Sequence, residues 1–268
     1  MSRFSFSVLQ QYIFRKPFGI HSPFLYAFSE KCIFNDHHHQ AFDKLEELRK
    51  NLKLDERHIQ VTDFGKGMRF GPKRKPGSSQ PLQYQRPVRN IARKSLQDPA
   101  VCRLFYRMVQ YFQPATILEL GTSLGLTTSY LAMADGRSKV FTLEGCPQTA
   151  DLARESFERA GVKNIEIITG DFRNNLPALL QRIPAPDMVY IDGDHSYKGV
   201  LANFALIGPT LHDKSVVIID DIRWSAGMKA AWKHLAANEK TTLALDVGKA
   251  GILFFDPALS KQQVHIGF

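Results

Sequence analysis

Thr116-Ile-Leu-Glu119-Leu-Gly121-Thr-Ser-Leu-Gly125 is the stretch that decides the fold. Five mostly aliphatic residues read as a buried strand, and a helix pattern follows the glycines. Gly121 lets the backbone turn tightly and approach a ligand closely. A pyrophosphate-binding fold would use a similar turn. Here an acidic residue stands two positions before the first glycine, which would repel pyrophosphate and suits a cation.

The same texture continues to the C-terminus. The pattern predicts a helix over 97–112 before the strand Thr116–Leu120, then helices over 124–135, 147–160, 175–182, 197–211 and 225–238. Strands are predicted at 139–143, 165–169, 188–191, 215–219, 241–247 and 251–256. Gly161 marks a helix stop. Short apolar strands alternating with helices mean a parallel sheet covered on both faces, and such sheets bind ligands at the carboxyl ends of their strands. Those ends are acidic: Glu119, Glu144, Asp192 and Asp220-Asp221 each close a strand, and Asp171 follows the strand 165–169 by one residue. A core does not need carboxylates there, and their repulsion must be offset by something bound. Glu144 stands about 20 residues beyond the glycine turn, where an acidic residue can accept hydrogen bonds from both ribose hydroxyls.

These residues resemble the class I S-adenosylmethionine-dependent methyltransferases. The resemblance rests on the Glu119–Gly125 loop, Glu144, Gly170-Asp171-Phe172 and the later acidic strand ends, and covers roughly 95–257. It implies an α/β, Rossmann-like methyltransferase fold with a mostly parallel seven-stranded sheet and a C-terminal antiparallel hairpin. It also implies that Glu119 and the loop residues Gly121, Thr122, Ser123 and Gly125 hold the amino-acid part of S-adenosylmethionine, and that Glu144 holds the ribose. Gly170, Asp171 and Phe172 would face the adenine, with the Asp171 carboxylate reaching its exocyclic amine, and Asp192 would complete the cofactor site.

Within that class, Asp192 after the fourth strand and Asp220-Asp221 after the fifth are similar to the metal-dependent O-methyltransferases, of the catechol type and of the sugar- and antibiotic-modifying branch. Three oxygen donors on adjacent strands suit a hard cation such as Mg²⁺. The catechol type has a lysine three residues after the first aspartate; this chain has His195 there, so Asp194 and His195 are the candidates for the general base. The Asp192-Gly-Asp194-His195-Ser-Tyr197 run resembles the sugar-modifying branch more closely.

Residues 1–94 differ in texture and predict a helical and loop extension serving as lid or substrate-binding region, with the methyltransferase domain at 95–268. Phe4, Val8, Tyr12 and Ile13 fall at loose helical spacing, Ser22-Pro23 predicts a helix start, and Leu45, Leu48 and Leu52 lie on one face of a helix over 40–53. The glycines and prolines of 63–87 predict a loop. His37-His38-His39 reads as a solvated turn, since consecutive residues do not share one face. The charge is lopsided: residues 1–100 carry 18 Lys and Arg against 9 Asp and Glu, while 101–268 carry 17 of each. Such asymmetry points to an anionic partner or to a solvated basic face.

The leading expectation is O-methylation of a small hydroxylated, anionic acceptor. The alternative is an RNA or protein methyltransferase docking through the basic region. Against nucleic acid, no Asn-Pro-Pro-Tyr or Asp-Pro-Pro-Tyr run follows the fourth strand. Related enzymes are often dimers, so a homodimer is expected. Three scattered cysteines fit a reducing, cytoplasmic setting. No apolar run reaches membrane-spanning length, and Gln10, Gln11, Arg15 and Lys16 interrupt any leader-like core.

Overall fold

The computed structural model describes residues 22–64 and 80–267. The aromatic spacing from Phe4 to Ile13 and the glycine- and lysine-rich part of the 63–87 loop, including Lys66 to Lys75, lie outside them.

The elements follow in order α1 (Pro23–Phe28), a π-helical turn (Ser29–Ile33), α2 (Gln40–Leu54), β1 (His58–Asp63), β2 (Leu82–Pro87), α3 (Val88–Ser95) and α4 (Pro99–Phe112). Then come β3 (Thr116–Leu120), α5 (Leu126–Ala134), β4 (Lys139–Glu144), α6 (Pro147–Ala160), β5 (Ile165–Thr169), α7 (Phe172–Arg182), β6 (Met188–Ile191) and α8 (Tyr197–Ile207). The chain ends with β7 (Val216–Ile219), α9 (Ala226–Ala236), β8 (Leu243–Asp246), β9 (Gly251–Phe254) and β10 (Gln262–His265).

Eight strands form the main sheet in the order β10-β8-β9-β7-β6-β3-β4-β5. Strands β7, β6, β3, β4 and β5 are parallel, and β9 runs antiparallel to both β7 and β8. This is the Rossmann-like methyltransferase arrangement with its hairpin, enlarged by one strand over the seven expected. The addition, β10, lies parallel to β8 at the sheet edge. Its sequence, Gln-Gln-Val-His, is too polar to announce a strand and alternates between covered and exposed residues.

Burial follows the pleat. Ile117, Met188, Tyr190 and Ile218 enter the core on one face, against α4 and α1. Leu118, Leu120, Val189, Ile191, Val217 and Ile219 enter the core on the other, against α7, α8 and α9. A third core joins the N-terminal region to the domain: Phe42, Leu45, Leu48 and Leu52 of α2 pack with Ile59, Val88 and Ile91, and with Leu124, Leu126 and Tyr130 of the glycine loop and α5. Several helix starts are capped by side chains, the first of these as the sequence predicts. Ser22 accepts from the Leu25 N–H, and Asp98 accepts from the Ala100 N–H with Pro99 at the first helical position. Gly161 ends α6 at φ +72°.

Two elements depart from expectation. The 63–87 segment contributes strand residues at both ends: β1 and β2 form an antiparallel ladder with Val61 opposite Tyr84. Pro81 just before β2 and Pro87 at its last position make the segment read as loop. Helix α7 begins at Phe172, three residues early, because Asp171 caps it, and it tolerates Pro177 inside.

Candidate active site

The sheet order sets β3 between β4 and β6, with β7 beyond β6, so Glu119, Glu144, Asp192 and Asp220 come to one edge. The glycine turn is fixed by contact as well as by torsion. Gly121 has φ +105°, and a Cβ there would stand 2.6 Å from the Asp192 carbonyl oxygen. The turn therefore passes directly over the end of β6. Gly125, at φ +76°, opens α5 where a Cβ would strike the Phe157 ring. Ser123 is also left-handed, at φ +49°. Gly121 and Thr122 donate their N–H groups to the Leu143 carbonyl, and the Thr122 and Thr142 hydroxyls are 2.6 Å apart.

Glu119 is fully buried beneath this turn. Its Oε2 accepts from the Thr128 and Thr142 hydroxyls at 2.5 Å each, and its Oε1 has no partner. Burial, partly offset by the two hydroxyls, pushes its carboxyl up to about 7. Glu144 accepts from the Ser123 N–H on Oε2 and from the Cys146 N–H on Oε1. Burial moves it to about 7 as well, against the pull of those backbone donors. Gly170 donates its N–H to the Glu144 carbonyl.

The Asp171 carboxylate caps α7 and accepts from the Arg173 guanidinium at 2.5 Å. The expectation that it reaches an adenine amine therefore meets a competing role, which the Asp-x-Arg spacing signals. Phe172 packs over Gly193, where a Cβ would lie 2.5 Å from its ring.

The second half of the site lies after β6 and β7. The Asp192 carboxyl is held well above the usual range, first by burial, then by the negative charges of Asp220, Asp221 and Glu119. Asp221, left-handed at φ +51°, is raised by burial and by Asp220. Asp220 is buried; its Oδ2 accepts from the Gln97 side-chain amide at 2.7 Å and the Tyr190 hydroxyl at 3.0 Å, while its Oδ1 has no partner. The His195 Nε2 stands 3.4 Å from the Asp192 Oδ1. The two base candidates are thus separated: Asp194 turns to the start of α8, accepts from the Ser196 hydroxyl at 2.9 Å and packs against Gly199. Among the described residues no three His, Cys, Asp or Glu side chains already surround one point as a metal shell. The His37–His39 turn agrees: His38 pairs with Asp43, and His39 lies against Phe42 and Tyr106.

Gln97 is the residue that sequence reasoning missed. It joins the loop before α4 to Asp220, 123 positions away, and its carbonyl accepts from Arg49 at 2.6 Å. Beside Asp221 opens a cleft of about 480 Å³, lined by Val101, Trp224, Val247, Arg223 and Lys249 among others.

Residues 118–222 match the family described as Methyltransferase domain. The chain is 31% identical over 121 residues to the catechol O-methyltransferase of Mycobacterium tuberculosis, which covers 44% of this chain and 53% of that protein. It is 37% identical over 90 residues to the catechol O-methyltransferase of Niastella koreensis, covering 32% and 41%. It shares its fold with the O-methyltransferase of Bacillus cereus in complex with SAH, at TM-score 0.54, 18% identity and coverage of 81% and 91%. Residues 118–222 are thus similar to a methyltransferase domain, and the sheet around them has the fold of the solved O-methyltransferase. The chain's similarity runs to O-methyltransferases, and the match spans about half the length of these curated relatives. Among the described residues no helix is long and apolar enough to cross a membrane.

Proposed function

We propose that this protein moves the methyl group of S-adenosylmethionine to a hydroxyl oxygen of a small acceptor, with a divalent cation such as Mg²⁺ held by Asp192, Asp220 and Asp221. The observation that carries this reading is the group of three carboxyls that reaches a 480 Å³ cleft through Asp221: Asp192 and Asp221 are raised by burial and then by the charge of Asp220, and Asp220 has a buried oxygen lacking a partner. Such a set needs a proton or a cation, and hard oxygen donors suit Mg²⁺.

The cofactor has a cradle to match. The partnerless Oε1 of Glu119 suits the ammonium of its amino-acid part, and the Gly121 turn leaves no room for a side chain. Glu144 retains lone pairs for the ribose hydroxyls, and Phe172 offers a ring face for the adenine. The acceptor would lie between Trp224 and Val101, in a cleft whose cations Arg223 and Lys249 are paired with Asp246 and Asp98. A bound divalent ion would lower the pKa of the acceptor hydroxyl. His195, oriented by Asp192, takes the hydroxyl proton. The acceptor oxygen attacks the sulfonium methyl carbon, the S–CH3 bond breaks, and its electron pair returns to sulfur. The products are a methyl ether, S-adenosylhomocysteine and a protonated imidazole. The protein's part is alignment, since the methyl is already activated.

Calorimetry with S-adenosylhomocysteine present tests the reading. Mg²⁺ should bind the wild type and fail to bind Asp221→Ala, while S-adenosylhomocysteine binds both alike. Mg²⁺-dependent methyl transfer to catechols or hydroxylated acids should fall about 1000-fold in the variant. Cofactor binding without any divalent-ion binding would sink the metal-dependent part.

A further inference from the structure

A second hollow, of about 240 Å³, lies between the turn after the π-helical segment and the outer face of α4. Asn35, His37, His38, Phe42, Arg103 and Arg107 are among the residues that line it. Arg103 and Arg107 sit four residues apart, on one helix face. Arg107 is 7% exposed, and its Nε donates to the Cys32 carbonyl at 2.6 Å. Arg103 lies over the Phe42 ring, 5.3 Å from its centre, and its Nε is buried with no hydrogen-bond partner.

Two adjacent guanidiniums in so covered a place need a counter-charge, because arginine does not shed its proton. Among the described residues neither forms an ion pair with a carboxylate. Asp36, exposed at the rim, is the acidic residue in the lining. No Asp or Glu can come from segments 1–21 and 65–79, because neither contains one. The field is felt nearby: the Arg107 pKa is lowered by burial and by Arg103, and that of His39 by burial and by His37, Arg107 and His38.

We infer that this hollow binds an oxyanion, a phosphate or carboxylate group carried by a small molecule. The guanidinium forks supply paired N–H donors of the kind that such groups accept, and the Arg103 Nε is a donor already stripped of water. The site is distinct from the carboxylate cluster and meets the 480 Å³ cleft at Ala100, which lines both. It stands independently of the methyl-transfer reading.

The test is titration of the full chain with inorganic phosphate and, separately, with malonate at fixed ionic strength, followed by calorimetry and by NMR of the arginine side chains. Saturable binding of either anion at about 1 mM or tighter is expected. Arg103→Gln should weaken it about tenfold or more, with folding checked by circular dichroism and with S-adenosylhomocysteine affinity unchanged. The tighter of the two anions identifies the group. Arg107→Lys, which keeps the charge and loses the fork, should also weaken binding; if it fails to fold, Arg103→Gln decides. Absence of saturation by either anion up to about 10 mM overturns the inference, as does binding that survives Arg103→Gln. A protein that binds phosphate here and no cofactor would keep this site while losing the methyltransferase reading.

Discussion

The two halves of the site treat their carboxylates differently. On the β3–β4–β5 side each acid is met by donors of the protein itself: Glu119 by Thr128 and Thr142, Glu144 by two backbone N–H groups, Asp171 by Arg173. On the β6–β7 side Asp192, Asp220 and Asp221 are set chiefly against one another, with His195 close to Asp192 and with Gln97 and Tyr190 reaching Asp220. The first half satisfies its acids with the protein's own donors. The second holds a charge debt that an arriving cation would settle. Substitutions should divide along the same line.

After Asp221→Ala, the largest contrast is expected at His195. His195→Asn keeps a polar side chain beside Asp192 and removes the proton acceptor, so kcat should fall about 100-fold. The Kd for S-adenosylhomocysteine should stay as in the wild type, since the residue belongs to the second half. Stopped assays over a pH series, with calorimetry on the same sample, check both numbers. Equal loss in kcat and in cofactor affinity would break the division.

The opposite signature is expected at Gly121→Ala. Its φ of +105° and the 2.6 Å approach of the Asp192 carbonyl give the new Cβ no place. Strain of roughly 2 kcal/mol should appear as a lower unfolding temperature. Weaker S-adenosylhomocysteine binding should accompany it, because the turn must move off the end of β6. Thermal unfolding with and without the ligand measures both. A variant as stable as the wild type would show that the turn is looser than this contact implies.

The first half was also the more legible from sequence. Glu119, Gly121 and Glu144 announce themselves because strand ends, turn glycines and a spacing of about 20 residues are local or nearly periodic signals. Caps at Ser22 and Gly161 are legible for the same reason. Gln97 is not: its meaning comes from Asp220, 123 residues away, and an ordinary loop glutamine carries no mark of that. The separation of His195 from Asp194 depends on the left-handed backbone at Asp194 and its bond to Ser196, which two adjacent polar residues in a sequence do not reveal. β2 was hidden by Pro81 and Pro87, β10 by its glutamines, and the Arg103–Arg107 pair by the helix that carries it.

The smallest expected effect concerns pH, and it separates the halves by what restores stability. Glu119 and Glu144 titrate near 7 in the folded chain against about 4.5 when unfolded, and Asp192 and Asp221 are also raised. The folded state therefore binds more protons than the unfolded state in that window, so stability falls as pH rises from about 4.5 through 7. Without ligands the unfolding temperature should drop by a few degrees between pH 5 and pH 8. Glu119→Gln should flatten part of that slope, because its share is replaced by a neutral amide. Mg²⁺ should recover a different part, the part that Asp192 and Asp221 contribute, and should recover nothing in Asp221→Ala. S-adenosylmethionine should act through Glu119 instead, its ammonium meeting the partnerless Oε1. If Mg²⁺ and S-adenosylmethionine rescue the same portion of the slope, the carboxylates form one coupled site and the two-half description fails; if their rescues add, each half answers to its own cation.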